Sequence, residues 1–318
     1  MKVGILGWDA AETESVGLAV LGRERGHQTT LFTLDDIAVR WTAAGVADVT
    51  VLGESAADRF DVVMSRAELR PRSFQADHER FALLSTVPGL PLMDPADRYL
   101  SVECKLIAMR RLGQAGLPIV PTRSCRSFAE IQDALDEWGR VVLKPCFGYG
   151  GTDVERVGDL AVPADRSTAA RLLAAYPVLQ CQPYLEHPGG DVRVTVVGDE
   201  LPLTFRRVPP GGDRWRANIM QGARPERIET PPELAEMALA ATRAMDITVS
   251  GLDILDTPNG YFINEVNNTP GWYMFPEAVQ REVMGVVYRL VEDRFGAGME
   301  PVAVPYPVGN HAMVRSQV

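Results

Sequence analysis

Short apolar runs alternate with longer stretches of helical spacing, and their order sets the first expectations. Residues 2–7 (Lys-Val-Gly-Ile-Leu-Gly) predict a strand, and residues 12–26 predict a helix closed by Gly26, a residue suited to a helix C-terminus. Runs at 27–33 and 61–65 predict two further strands. Strand, helix, strand at this spacing predicts a small parallel α/β unit over residues 1–98. Pro91, Pro95 and the polar stretch 94–101 mark its end. An amphipathic helix is expected over 102–116, stopped by Gly116-Leu117-Pro118. Then come a strand at 119–122, a helix at 127–139, a buried strand at 140–145, a glycine-rich loop at 147–152 and a returning strand at 153–157. A helix at 167–176 and a strand at 178–185 complete an α+β unit over 99–185. From Asp191 the pattern turns to hairpins, with strands at 192–197 and 201–208 joined by Gly198-Asp199-Glu200. A helix at 231–245, strands at 251–255 and 261–267 and a helix at 277–295 fill a third unit, 186–297. The remainder, 298–318, reads as a Pro-rich extended or disordered tail.

The whole-chain figures narrow the function classes. The length of 318 residues suits two or three packed units. The net charge of −10 argues against broad nucleic-acid binding, which needs a basic surface. No run of about 18 apolar residues marks a membrane span. Acidic residues come too early at the N-terminus for a signal peptide. Cys104, Cys125, Cys146 and Cys181 lack CxxC spacing and read as free thiols in a reducing cytoplasm. The first strand runs into Gly7-Trp8-Asp9 rather than GxGxxG, which removes support for a dinucleotide-binding dehydrogenase.

The segment 250–271 carries the most chemistry. Two β-rich runs flank Pro258-Asn259-Gly260, and loop length decides which side chains share a face. A two-residue Asn-Gly loop pairs Asp253 with Val266. A three-residue Pro-Asn-Gly loop with left-handed Gly260 pairs Asp253 with Glu265 and puts Asn267 on the same face; this is the register expected. Two carboxylates about 5 Å apart repel, and a divalent cation relieves the repulsion. Hard oxygen donors in small number suit Mg²⁺, completed by phosphates and water. The competing reading is an acidic, solvent-facing hairpin. The second segment is Val-Val-Leu-Lys144 followed by Gly148, Gly150 and Gly151. An ammonium ending an apolar strand needs a partner, and glycine backbone lets N–H groups approach an anion. Its spacing is not that of a Walker A loop, and an edge lysine before a flexible loop is the plainer alternative. Arg193, Arg206, Arg207, Arg214 and Arg216 cluster in an acidic chain. Arg206 and Arg207 face opposite sides of a strand, so at most one meets the site.

In family order and spacing, the chain resembles the ATP-grasp ligases, and within them the RimK-like carboxylate–amine ligases. The resemblance rests on Lys105 before Ala115-Gly-Leu-Pro118, Val-Val-Leu-Lys144 and its glycine loop, Gln182-Pro-Tyr-Leu185, Gly190-Asp191-Val-Arg193, Arg207, Trp215-Arg-Ala-Asn218, Gly251-Leu-Asp253 and Asn264-Glu-Val-Asn267 with Pro270-Gly271. It implies a three-domain fold, α/β and α+β, with ATP between the central and C-terminal domains. Lys105 and Lys144 would contact phosphates, with Gly148, Gly150 and Gly151 in a mobile lid. Gln182, Tyr184 and Leu185 would lie along the adenine-reading hinge, Asp191 on the ribose, and Asn218 among the cofactor contacts. Asp253, Glu265 and Asn267 would hold two Mg²⁺ ions, replaceable by Mn²⁺. Arg207 and Arg216 would steady the transferred phosphoryl group. The implied product is an amide, formed through an acyl-phosphate with release of ADP and phosphate. The partners would be a small-molecule acid and amine, or a peptide, with room for a homo-oligomer and with neither nucleic acid nor membrane. Intramolecular ring formation and peptide side-chain modification stay open, as does the more remote alternative of a nucleotide-binding regulatory protein. Two departures stand out: Pro183 replaces an acidic hinge residue, and Phe147-Gly-Tyr-Gly-Gly makes a bulky lid. The aromatic stretch 272–275 reads either as acceptor-site lining or as packing.

Overall fold

A computed structural model describes residues 1–41, 43, 47–211 and 215–296. The expected tail at 298–318 and Arg214 lie outside the described residues. The chain begins as expected, with β1 (Lys2–Gly7), α1 (Thr13–Glu24) and β2 (Gln28–Phe32). It then makes a small meander of β3 (Ile37–Trp41), β4 (Ala47–Val51) and β5 (Glu54–Ser55) that the apolar pattern did not reveal. Next come α2 (Ala56–Arg59), β6 (Val62–Arg66), α3 (Phe74–Ser85) and β7 (Leu92–Met93). Strands β2-β1-β6-β7, in that spatial order, form one parallel sheet.

The single helix expected over 102–116 is two helices. α4 (Ala96–Glu103) occupies part of the polar stretch assigned to a boundary, and α5 (Lys105–Gln114) follows at once. Cys104 breaks the run with ψ 92°, and the Lys105 N–H donates to the Cys146 carbonyl at 3.2 Å. The break makes Lys105 the first residue of α5 and ties it to the chain just after Lys144. The strand expected at 119–122 is only a bridge from Ile119 to Ile263; the paired segment is β8 (Arg123–Cys125). After α6 (Phe128–Trp138) come β9 (Val141–Pro145), β10 (Glu155–Val157), α7 (Pro163–Ala175) and β11 (Leu179–Pro183). They make the antiparallel sheet β10-β9-β11-β8, closed by a core around Ile131, Leu143, Leu172 and Leu179. α7 starts at Pro163, earlier than expected, because proline is favourable in a first helical turn.

The third sheet contains β12 (Asp191–Val197), β13 (Glu200–Val208), β14 (Arg224–Arg227), β15 (Val249–Thr257) and β16 (Gly260–Asn267). Its order is β14-β13-β12-β15-β16, with α8 (Pro232–Met245) between β14 and β15. One face packs on α5 and α8 through Ala108, Leu112, Val194, Ala238, Leu252 and Val266. The other face, over part of its area, opens to a cavity. The last helix, α9 (Glu277–Phe295), returns to the first unit, where Val283, Val287 and Tyr288 pack with Val3, Ile5 and Leu18. No helix among the described residues is long and apolar enough to cross a membrane.

Candidate active site

Strand periodicity and register assemble one wall of the site. Arg193 on β12 lies opposite Asp253 on β15, which lies opposite Glu265 on β16. Two residues along β12, Asp191 lies opposite Arg207 on β13. Side chains two apart on a strand share a face, so Asp191, Arg193, Phe205, Arg207, Asp253, Glu265 and Asn267 all line one cavity of about 760 Å³. Arg206 faces away and binds Asp256 at 2.6 Å. The start of β12 depends on Gly190: its φ is +84°, and a Cβ there would sit 2.0 Å from the Arg207 carbonyl oxygen. Glycine is therefore required for Asp191 to approach Arg207.

The expected pairing of Asp253 with Glu265 is present, but not through the expected loop. Thr257 pairs with Gly260, so Pro258-Asn259 is a two-residue turn. Left uninterrupted, that register would set Asp253 against Asn264. A β-bulge at Asn264 adds one residue and restores Glu265 to its partner. Gly260 has the expected positive φ, +105°. The bulge also turns Asn264 toward the cavity, where its Oδ1 accepts from Lys144 Nζ at 2.7 Å. Strict alternation could not have identified Asn264.

The charges are closely matched. Asp253 accepts from Arg193 through both oxygens and from Arg207 at 2.8 Å. Burial opposes its charge, but the two guanidinium groups hold it down to about 2. Asp191 accepts from Arg207 Nε at 2.7 Å and from its NH2, and burial pushes its carboxyl up against that pairing. Asp191 is thus engaged within the sheet rather than free toward a ribose. Arg207 NH1 makes no hydrogen bond among the described residues. Lys105 binds Glu265 at 2.6 Å and the Gly148 carbonyl at 2.9 Å. Burial works against its ammonium, but Glu265, with Glu103 and Asp253 nearby, raises its pKa. Lys144 is 6% exposed, and burial drops it to about 8 against the pull of Glu265. Gln180, directly across from Lys144 on β11, is buried with neither amide atom bonded among the described residues.

The opposite wall comes from the central sheet and its glycine loop. Gly148, Gly150 and Gly151 have φ of +143°, +69° and +72° and line the cavity. The loop is fixed at two points: Phe147 packs edge-on to Phe74 of α3, and the Tyr149 hydroxyl donates to Glu103. Gln182 Nε2 donates to Thr122 at 2.9 Å, the Tyr184 N–H donates to the Arg140 carbonyl, and the Leu185 carbonyl pairs with His187 Nδ1 at 2.7 Å. Asn218 caps the short turn Ile219–Gln221 and packs against Gly151. Arg216 is not beside Asp253 but bound to the Val154 carbonyl and Glu155 at 2.7 and 2.6 Å.

The parallel sheet supplies a third wall. Trp8 and Asp9 after β1, Glu12 and Glu14 at the start of α1, Arg66 at the end of β6 and Glu68 all line the cavity. Arg66 binds Glu12 at 2.8 Å and the Pro270 carbonyl at 3.2 Å, and stacks 4.8 Å above Trp272. Glu14 accepts the N–H groups of Trp272 and Tyr273. Trp272 is therefore packing, 1% exposed, whereas Tyr273 and Met274 line the cavity. No local motif marks these N-terminal contributors, which lie some 200 residues from the hairpin they meet.

The residues fit a nucleotide and a hard cation. The Lys105 and Lys144 ammonium groups and positive-φ glycines that line the cavity suit a phosphate chain. Among the described residues no three His, Cys, Asp or Glu side chains form a metal cluster by themselves. The candidate donors are the Asp253 and Glu265 carboxylates, engaged here by Arg193, Arg207 and Lys105, and the Asn267 amide oxygen, whose Nδ2 is taken by the Gly251 carbonyl. Such a set suits Mg²⁺ completed by phosphates and water.

Comparison with known proteins agrees with this chemistry. Residues 103–289 match the family model described as the RimK-like ATP-grasp domain. A tetrahydromethanopterin:alpha-L-glutamate ligase from Methanocaldococcus jannaschii is 29% identical over 187 residues, 58% of this chain and 64% of that protein. The chain thus aligns with under two thirds of that relative. The protein of the same name from Methanosarcina acetivorans is 26% identical over 300 residues, 85% of this chain and 92% of that one. Among solved structures, the ATP-grasp ligase PsnB complexed with a minimal precursor superposes with TM-score 0.69 at 22% identity, covering 91% of this chain and 99% of that one. PsnB has also been solved with Mg and ADP together with that precursor.

Proposed function

This chain belongs to the RimK-like ATP-grasp family of ATP-dependent C–N ligases, and on that premise we propose that its cavity activates a carboxylate as an acyl-phosphate and joins it to the amino group of an amino acid or peptide. The observation that carries the reading is the meeting of Lys105, Lys144, the glycine loop, Arg207 and the Asp253–Glu265 pair in one cavity. We assign residues 1–98, 99–185 and 186–297 to its three domains.

A carboxylate oxygen of the acid attacks the terminal phosphorus of ATP, and ADP leaves. The transfer brings anions together and needs positive charge on the moving oxygens. Lys144 faces the phosphate chain. Lys105 exchanges Glu265 for a phosphate oxygen, which frees Glu265. Asp253, Glu265 and Asn267 would hold up to two Mg²⁺ ions, or Mn²⁺ in their place, which would supply charge neutralisation. Arg207 offers NH1 to the phosphoryl group while Asp191 and Asp253 fix its orientation. Arg216, held by Glu155, acts from the lid side. The hinge 182–185 takes the adenine, with the Tyr184 ring and Trp215 at its edge. The amine then attacks the acyl carbon and phosphate departs.

The test is chromatographic analysis of nucleotide products with Mg²⁺-ATP across a panel of carboxylic acids, using L-glutamate as the first amine. That amine is chosen because related proteins bear the name alpha-L-glutamate ligase. ADP and phosphate are expected. AMP and pyrophosphate would mean adenylation and would overturn the reading.

A further inference from the structure

Phosphoryl transfer makes no use of the crevice at the carboxyl ends of β1 and β6. In the parallel sheet, β2 flanks β1 on one side and β6 on the other. That is a topological switch point, where open α/β sheets bind ligands. Trp8 and Asp9 follow β1, and Arg66 and Glu68 sit at and beyond the end of β6; all four line the cavity. Ala67 and Leu69 are buried in the first core at 0% and 1% exposure. Glu68, between them, is only partly buried and lines the cavity. Other carboxylates of this wall are engaged: Asp9 with the Ala11 N–H, Glu12 with Arg66, Glu14 with two backbone N–H groups; Glu103 on α4, outside the cavity lining, accepts from Tyr149. Glu68 has neither a hydrogen bond nor an ion pair among the described residues.

We propose that Glu68 is the general base that turns the incoming ammonium into the attacking amine, a role that rests on the acyl-phosphate reading of the same site. The amine substrate arrives as R–NH₃⁺. The Glu68 carboxylate takes one proton and leaves the nitrogen lone pair free. That pair forms the C–N bond to the acyl carbon, and the C–O bond to the phosphoryl group breaks. A second proton leaves nitrogen with the departing phosphate, which goes as HPO₄²⁻. Glu68 returns its proton to solvent when the amide dissociates. The surroundings suit the task. Burial pushes Glu68 up to about 7, Glu103 adds to the rise, Arg66 opposes it and Glu12 reinforces it. Tyr99 on α4 and Tyr149 on the glycine loop also face it. A base near the working pH removes a proton from an ammonium better than an ordinary carboxylate does. Its place beside Glu103 and Tyr149 also sets it where the lid meets the N-terminal wall.

The experiment compares two amines, with the acid that gives the largest ADP release in the product screen. L-Glutamate presents an ammonium at pH 7, whereas hydroxylamine is already unprotonated and traps acyl-phosphates as hydroxamates. In Glu68→Gln, amide formation with L-glutamate falls by about 10²-fold or more, while hydroxamate formation is retained. The wild-type rate rises through an inflection near pH 7, and the variant loses that inflection. Equal losses with both amines, or an inflection that persists in the variant, would overturn the assignment. Absence of hydroxamate from the wild-type enzyme would instead overturn the acyl-phosphate reading beneath it. Should Glu68→Gln fail to fold, Glu68→Asp retains a carboxylate one methylene shorter. Its inflection should persist with a lowered rate for L-glutamate alone, and its loss would count against the proposal.

Discussion

Lys144 offers a readout of nucleotide binding that does not depend on knowing the substrates. In the free protein its ammonium is buried with, among the described residues, a single side-chain acceptor, Asn264, and its pKa falls from 10.5 to about 8. The unfolded chain therefore binds more protons than the folded one between about pH 8 and 10.5, and stability rises with pH across that window. The drop corresponds to about 3 kcal/mol of disfavoured charge. A phosphate chain lying against Lys144 removes the penalty and lifts its pKa again. At pH 8.5 a group with pKa about 8 is about one-quarter protonated, so binding that restores the ordinary lysine value takes up about 0.7 proton. The assay is titration calorimetry of ADP without Mg²⁺, in buffers of different ionisation enthalpy, where the slope of observed heat gives the protons taken up. Lys144→Met should bind ADP more weakly with no such slope. The pH dependence of its melting should also be flatter than that of the wild type between pH 8 and 10. Uptake below about 0.2 proton at pH 8.5 in the wild type would refute the placement of Lys144 against the phosphates.

Other consequences can be checked with simple variants. Glu265→Gln keeps shape but removes the charge proposed to balance the metal; ADP release should fall to background while the fold persists, and a near wild-type rate at saturating Mg²⁺ would show that Glu265 is not a ligand. Gly260→Val should lower stability by about 1–3 kcal/mol, the usual strain of a left-handed β-branched residue. Mg²⁺-dependent activity per folded molecule should hardly change, because β16 is also fixed by Ile263 N–H to the Pro118 carbonyl at 2.8 Å and by Val120 N–H to the Ile263 carbonyl at 3.1 Å. A larger loss of activity than of melting temperature would mean that the turn alone sets the register. Arg207→Met leaves Asp191 and Asp253 sharing Arg193; denaturant unfolding at pH 7 should show about 3–5 kcal/mol of destabilisation. That loss should shrink toward acid pH as Asp191, already raised by burial, takes up its proton.

The sequence by itself determined what repeats over two or four residues. The apolar runs located β1, β9 and four of the five strands of the third sheet; β14, Arg-Pro-Glu-Arg, carries no apolar pattern. Alternation put Glu265 and Asn267 on one face of their strand, and excluded Arg206 from the side that Arg207 takes. Left-handed Gly260 followed from the turn residues. These features are local, set by backbone geometry within a few residues. What required tertiary structure was set by groups far apart in the chain. The Asn264 bulge arises where a two-residue turn must be reconciled with pairing farther along β15, while segment 118–120 fixes the outer edge of β16. The break at Cys104 is accompanied by a bond from Lys105 to Cys146, forty-one residues on. Polar stretches hid α3 and α4 because their buried sides, Phe81 and Tyr99, face a core assembled from elsewhere. Glu68 and Arg66 carry no motif, since a lone carboxylate or guanidinium gains meaning only from what faces it. Only the packed structure brings β6 to the loop after β16, and only there do burial and neighbouring charge change how Glu68 holds its proton.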